Sequence, residues 1–165
     1  MSDLPAELRK LLQVVIKLDK AKKYVADLED ALSINPEKIN DELARQPTLY
    51  AHWGMLHVMA TGRKDAYKRK MDEKAAQVSL EFRRANQGKR VTEKEIENEL
   101  LINRDYGPAQ DDYYSAKTDE DALKVAREAF HQRKDMLVTL ATNLRRELDI
   151  DLDRKTEKLL SRQQR

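Results

Sequence analysis

Two stretches of this chain repeat apolar residues at intervals of three, four and seven for longer than any strand or compact-globule helix requires. Leu49, Trp53, Leu56, Ala60, Tyr67, Met71, Ala75, Val78 and Phe82 form the first stripe. Ala109, Tyr113, Ala116, Leu123, Phe130, Leu137, Leu140, Leu144 and Leu148 form the second. Such spacing marks one face of an α-helix. The first stripe predicts a helix from Leu49 to about Gln87, which at 1.5 Å per residue reaches about 60 Å. The second predicts a helix ending near Leu148, antiparallel to the first. With 165 residues, four glycines and 38% charged side chains, the chain suits long exposed helices better than a compact globule. Residues 1–148 are read as one elongated helical domain.

The punctuation fills in the rest. Ser2 or Asp3 as cap, Pro5 in the first turn and Glu7 near the positive dipole end predict an N-terminal helix. Its seam is Leu4, Leu8, Leu11, Val15, Leu18, Val25, Leu28 and Leu32, interrupted at Lys22 and widened by Val14 and Ile16. Ser33 to Pro36 ends it, and Asn35 can cap a short successor carrying Ile39 and Leu43. Gln46-Pro47-Thr48 reads as the next break. Gly54 and Gly62 inside the first long helix each cost about 1 kcal/mol against Ala, which points to close approach of another helix or to a kink at Thr61-Gly62.

Asn86-Gln87-Gly88 is a stop signal, and Thr92 with Glu95 then makes a capping box, with Val91 and Ile96 placed as a hydrophobic staple. The short helix bearing Ile96 and Leu100 ends near Asp105-Tyr106-Gly107-Pro108. After Leu148, residues 149–165 alternate acids and apolar residues too briefly for a strand without a partner, so a frayed or disordered tail is expected. The expected fold is all-α: a long antiparallel helical hairpin with an N-terminal helix, short connecting helices and no strands.

Charge divides the same helices. Residues 63–90 carry Arg63, Lys64, Lys68, Arg69, Lys70, Lys74, Arg83, Arg84, Lys89 and Arg90 against four acids, a net of +6. Residues 91–121 carry three bases against ten acids, a net of −7. A formal total of +2 therefore hides two opposed surfaces, suited to a polyanion partner or to head-to-tail contact between copies.

Reaction chemistry finds little material. There is no cysteine, which removes thiol catalysis, disulfides and cysteine-ligated zinc. His52 and His57 stand five apart, whereas ligand pairs on one helix face want three or four, and His131 is isolated. No Gly-rich phosphate loop, Walker pattern or nucleophile elbow occurs, and no pocket selects a carboxylate pair. The expectation is a protein without catalytic residues, cofactor or metal, in a cytoplasm, since the N-terminus lacks a secretory pattern and no apolar run is of spanning length.

The basic block is the candidate site, because unpaired nucleic acid is held by cations along its backbone and by aromatics that stack bases. Tyr67 lies among those cations, although its place on the apolar stripe favours packing. Trp53, Tyr50 and Phe82 are likewise read first as packing residues.

Leu49-Tyr50-x-x-Trp53, the basic amphipathic helix with Leu80-Glu81-Phe82, and Asp119-Glu-Asp-Ala-Leu-Lys-Val125 resemble, in order and approximate spacing, segments of the UvsY-like recombination mediators of T-even phages. The resemblance spans residues 48–145. It implies a homo-oligomer, ring-like in that family, which binds single-stranded DNA, helps displace single-strand-binding protein and loads a RecA-type recombinase in the host cell cytoplasm. One difference falls on the DNA-contacting motif: the positions matching its Lys and Arg are Gln77 and Ser79, with Lys74, Arg83 and Arg84 nearby. The alternative expectation is a non-enzymatic helical adaptor of a phage, whose charged helices bind protein.

Overall fold

A computed structural model describes residues 13–19 and 22–163. The described chain begins with two strands, β1 (Gln13–Asp19) and β2 (Lys22–Asp27), followed by the helix α1 (Leu28–Leu32) and a 3-10 turn at Pro36–Lys38. Three further helices follow: α2 (Ile39–Ala85), α3 (Glu93–Ile102) and α4 (Tyr106–Gln163).

The expected antiparallel hairpin is present as α2 against α4. Trp53 stacks on Phe130 with ring centroids 5.4 Å apart and planes 20° from parallel. Farther up α2, Thr61 and Arg63 meet Glu120 and Asp119, so the partner residue number falls as the α2 number rises. The core consists of Leu28, Trp53, Leu56, Ala60, Leu123, Ala126 and Phe130, with Leu32, Leu49 and Ala122 packed around it. Both apolar stripes lie on the packed faces, since Val78, Ala116 and Leu137 are buried as well, except at the end of the second, where Leu148 is exposed. Burial of such a stripe, rather than propensity, holds long helices together.

The N-terminal reading is corrected. Instead of one helix up to Leu32, β1 and β2 pair antiparallel, with Val15 opposite Val25 and Ile16 opposite Tyr24. Val14, Val15, Ile16, Tyr24 and Val25 are β-branched or aromatic, and such residues prefer the pleated backbone. Among the described residues of the expected helix, Leu28 to Leu32 are helical, anchored by the buried Leu28. Leu4, Leu8 and Leu11, with the proposed caps at Ser2 or Asp3, lie outside the described residues.

Pro47 is a second correction. It sits inside α2, which runs unbroken from Ile39. A proline in a helix interior costs about 3 kcal/mol. Its neighbour Gln46 compensates by tying α2 to α4: buried, it donates from Nε2 to the Phe130 carbonyl at 2.6 Å and accepts from Arg133 Nη1 at 2.6 Å. Asn35 does cap its successor, accepting from the Glu37 amide at 3.0 Å, but that successor is the 3-10 turn leading into α2.

Local signals after residue 85 are met. Asn86 caps α2, and Gly88 takes φ +91°, a left-handed conformation open to glycine at little cost. Thr92 and Glu95 form the reciprocal capping box of α3, whose Ile96 is buried. Asn103 Oδ1 accepts from the amides of Asp105 and Tyr106 and so opens α4, where Pro108 stands in a first turn that needs no amide donor.

Among the described residues nothing lies within 4 Å of a Cβ built on Gly54 or Gly62, so neither glycine serves close approach there, and α2 runs through Thr61-Gly62 as one helix. The tail beyond Leu148 is helical through Gln163, with no proline or glycine to interrupt it and with Asp149 to Lys158 exposed.

Candidate nucleic-acid interface

Helical periodicity decides which cations can act together. Along α2, Arg63, Tyr67, Lys70 and Lys74 follow at steps of four, three and four, and so share one flank beside the packed face. Arg84 falls on the same flank two turns and more beyond Lys74, past Gln77 and Glu81. Lys68 lies on the opposite flank, and Arg69 points away from the core. Lys89 and Arg90 stand in the turn between α2 and α3, both exposed.

Folding brings the acidic block beside the basic one. Arg63 Nη1 lies 3.4 Å from Asp119 Oδ2, and Lys64 Nζ 3.1 Å from Glu120 Oε2. At the far end Arg83 Nη2 reaches Glu93 Oε1 at 2.7 Å. Three of the ten cations are therefore already matched by acids of α3 or α4. Among the described residues, Lys68, Arg69, Lys70, Lys74, Arg84, Lys89 and Arg90 have no carboxylate within 4.0 Å; all but the half-buried Lys74 are exposed.

Tyr67 is half-buried on the packed face, and the Lys70 ammonium lies 5.3 Å from its ring centroid. The contact is a cation–π interaction, so Tyr67 orients a cation and keeps one ring face occupied. Trp53 is buried on Phe130 and contributes packing, Phe82 is half-buried, and Tyr50 is exposed beside His131 at 6.2 Å between centroids.

The α2–α4 ion pairs alter titration. The Lys64 ammonium is raised above its usual value, chiefly by its hydrogen bond to Glu120. Burial pushes the Glu120 carboxyl up, but hydrogen bonds from Lys64 and Thr61, with the charge of Lys64, outweigh it and leave the group below the usual range. Thr61 Oγ1 lies 3.1 Å from both Glu120 Oε1 and the His57 carbonyl, so one proton serves two acceptors.

A second polar cluster escaped the sequence reading. Arg133, only 3% exposed, donates to Gln46, to Glu42 and to the carbonyls of Leu32 and Ser33. It ties α4 to α2 and to the end of α1. The detectable signal was a cation at a core position of the α4 stripe, between Phe130 and Leu137. Among the described residues no group of three or more His, Asp or Glu could hold a metal ion, and no helix is long and apolar enough to cross a membrane.

No family model, curated protein or solved structure matches the chain.

Proposed function

We propose that the chain is a non-enzymatic, self-associating accessory protein of phage DNA recombination that binds single-stranded DNA. In that role it competes with single-strand-binding protein for the strand and assists loading of a RecA-type recombinase. The observation that carries the reading is the cationic flank: Lys70, Lys74 and Arg84 on α2, continued by Lys89 and Arg90, share the row with Glu81, yet none has a carboxylate within 4.0 Å among the described residues. A row of cations at helical spacing tracks a phosphate backbone without reading bases. Gln77 in the middle of the row replaces a cation of the family motif, and Lys74 and Arg84 on either side supply charge in its place.

The competing reading is a helical phage adaptor that binds protein. It draws on the pairing of Arg63, Lys64 and Arg83 with acids of the same chain, which removes part of the positive surface. A mobility shift with oligo-dT beside a duplex of equal length separates the two. Preference for the single strand supports the mediator, and binding to neither supports the adaptor.

A further inference from the structure

The face of α2 opposite the core is a second stripe with no partner among the described residues. Ala51, Met55, Val58 and Gly62 follow at steps of four, three and four, and the stripe continues through Asp65, Arg69, Asp72, Ala76 and Leu80. All are exposed, Met55 at 63%, Val58 at 61% and Leu80 at 54%. Gly62 weakens the helix here, yet nothing among the described residues lies within 4 Å of a Cβ built on it. Heptad steps on an outer face describe a coiled-coil seam waiting for another helix.

Charge selects the occupant and its direction. We propose that this face docks a second copy of the same helix, antiparallel about a two-fold axis between Asp65 and Arg69. In that register Asp65 of each copy meets Arg69 of the other, Val58 meets Ala76, Met55 meets Ser79 beside Leu80, and Asp72 falls opposite the side-chain-free Gly62. An isologous contact of this kind requires a self-complementary surface, and Asp65 and Arg69, placed evenly about one point, supply it. A parallel pair would stack Asp65, Arg69 and Asp72 each on its own copy, and like charges facing one another are destabilising. Antiparallel helices also oppose their dipoles favourably. The acids in the stripe make it unsuited to DNA, so the contact and the cationic flank occupy different parts of α2.

Self-association belongs to the proposed function, and the contact rests on that part of it; DNA binding is read separately, so either can fail alone. The chain has no cysteine, which makes cross-linking clean. Within one helix, residues 58 and 76 lie about 27 Å apart and cannot join. Under mild oxidation the full-length Val58→Cys/Ala76→Cys variant should give a covalent dimer, and Val58→Cys alone should stay monomeric on a non-reducing gel. A dimer from Val58→Cys alone, a ladder of higher species, or no cross-link from the double variant overturns the proposal. Light scattering provides the second arm. Asp65→Arg or Arg69→Asp alone should weaken the dimer by about tenfold, since two exposed ion pairs become repulsions. The double exchange should restore it to within about threefold. Helicity by circular dichroism should be unchanged throughout, and a double exchange no tighter than the single changes contradicts the register.

Discussion

Arg133 and Glu42, ninety-one residues apart in the chain, meet at 2.6 Å between Nη2 and Oε2. The same guanidinium reaches Gln46 and two carbonyls near the end of α1, so one buried side chain fixes where α1, α2 and α4 converge. Arg133→Ala leaves Gln46, Glu42 and two carbonyls without their donor. Breaking a buried pair on one side costs about 3–5 kcal/mol. The melting temperature should fall by more than about 6 °C. Arg133→Lys should recover only part of the loss, because an ammonium cannot fork to four acceptors in one plane.

Acid should open the same junction. The hydrogen bond from Arg133 holds the Glu42 carboxyl below its usual 4.5, and Glu120 is held low as well. A carboxylate depressed in the folded state stabilises it fully above the unfolded value, and the gain is lost as pH falls through the folded value. Melting temperatures should therefore show no contribution from these groups to any slope between pH about 5 and 8, and should drop below about 4.5. Glu42→Gln should flatten part of that acid limb and lower stability at neutral pH.

The start of α3 depends on a reciprocal cap: Thr92 Oγ1 accepts from the Glu95 amide while Glu95 accepts from the Thr92 amide at 2.8 Å. Thr92→Ala should cost about 1 kcal/mol. Hydrogen exchange should quicken first at the amides of Glu93 to Ile96 and leave the Trp53–Phe130 layer protected.

Gly54 offers the opposite sign. A Cβ there would meet nothing within 4 Å. Gly54→Ala should stabilise the chain by about 0.4–1 kcal/mol, chiefly by restricting the unfolded state. A loss of stability in thermal melts would show that the glycine is needed for a contact outside the chain.

How much of this was readable in advance varies with the physics involved. The two apolar stripes predicted the hairpin because a 3.5-residue period has one solution when sustained over many turns, and Trp53, Ala60, Leu123 and Phe130 lie in its core. The Thr92–Glu95 cap and the Gly88 stop were legible because they act within a few residues. The N-terminal strands were not. Val15, Leu18 and Val25 fit heptad steps, and only their β-branched and aromatic neighbours Val14, Ile16 and Tyr24 argued for strand. Pro47 read as a break because the compensating bonds of Gln46 come from residues more than eighty positions away. For the same reason the sequence placed ten cations in one block, yet could not tell that Arg63 and Lys64 would be matched by Asp119 and Glu120.

The central claim is that the cationic flank of α2 holds the backbone of an unpaired DNA strand, and its salt dependence tests this most directly. Oligo-dT binding should be followed by fluorescence anisotropy across a salt series for the unaltered chain and for Lys70→Gln/Arg84→Gln. Each phosphate contact on a single strand contributes about 0.7 to the slope of log K against log salt. Removal of two contacts should lower that slope by about 1.4 and weaken binding at every salt concentration. Affinity and slope identical to the unaltered chain would contradict the account.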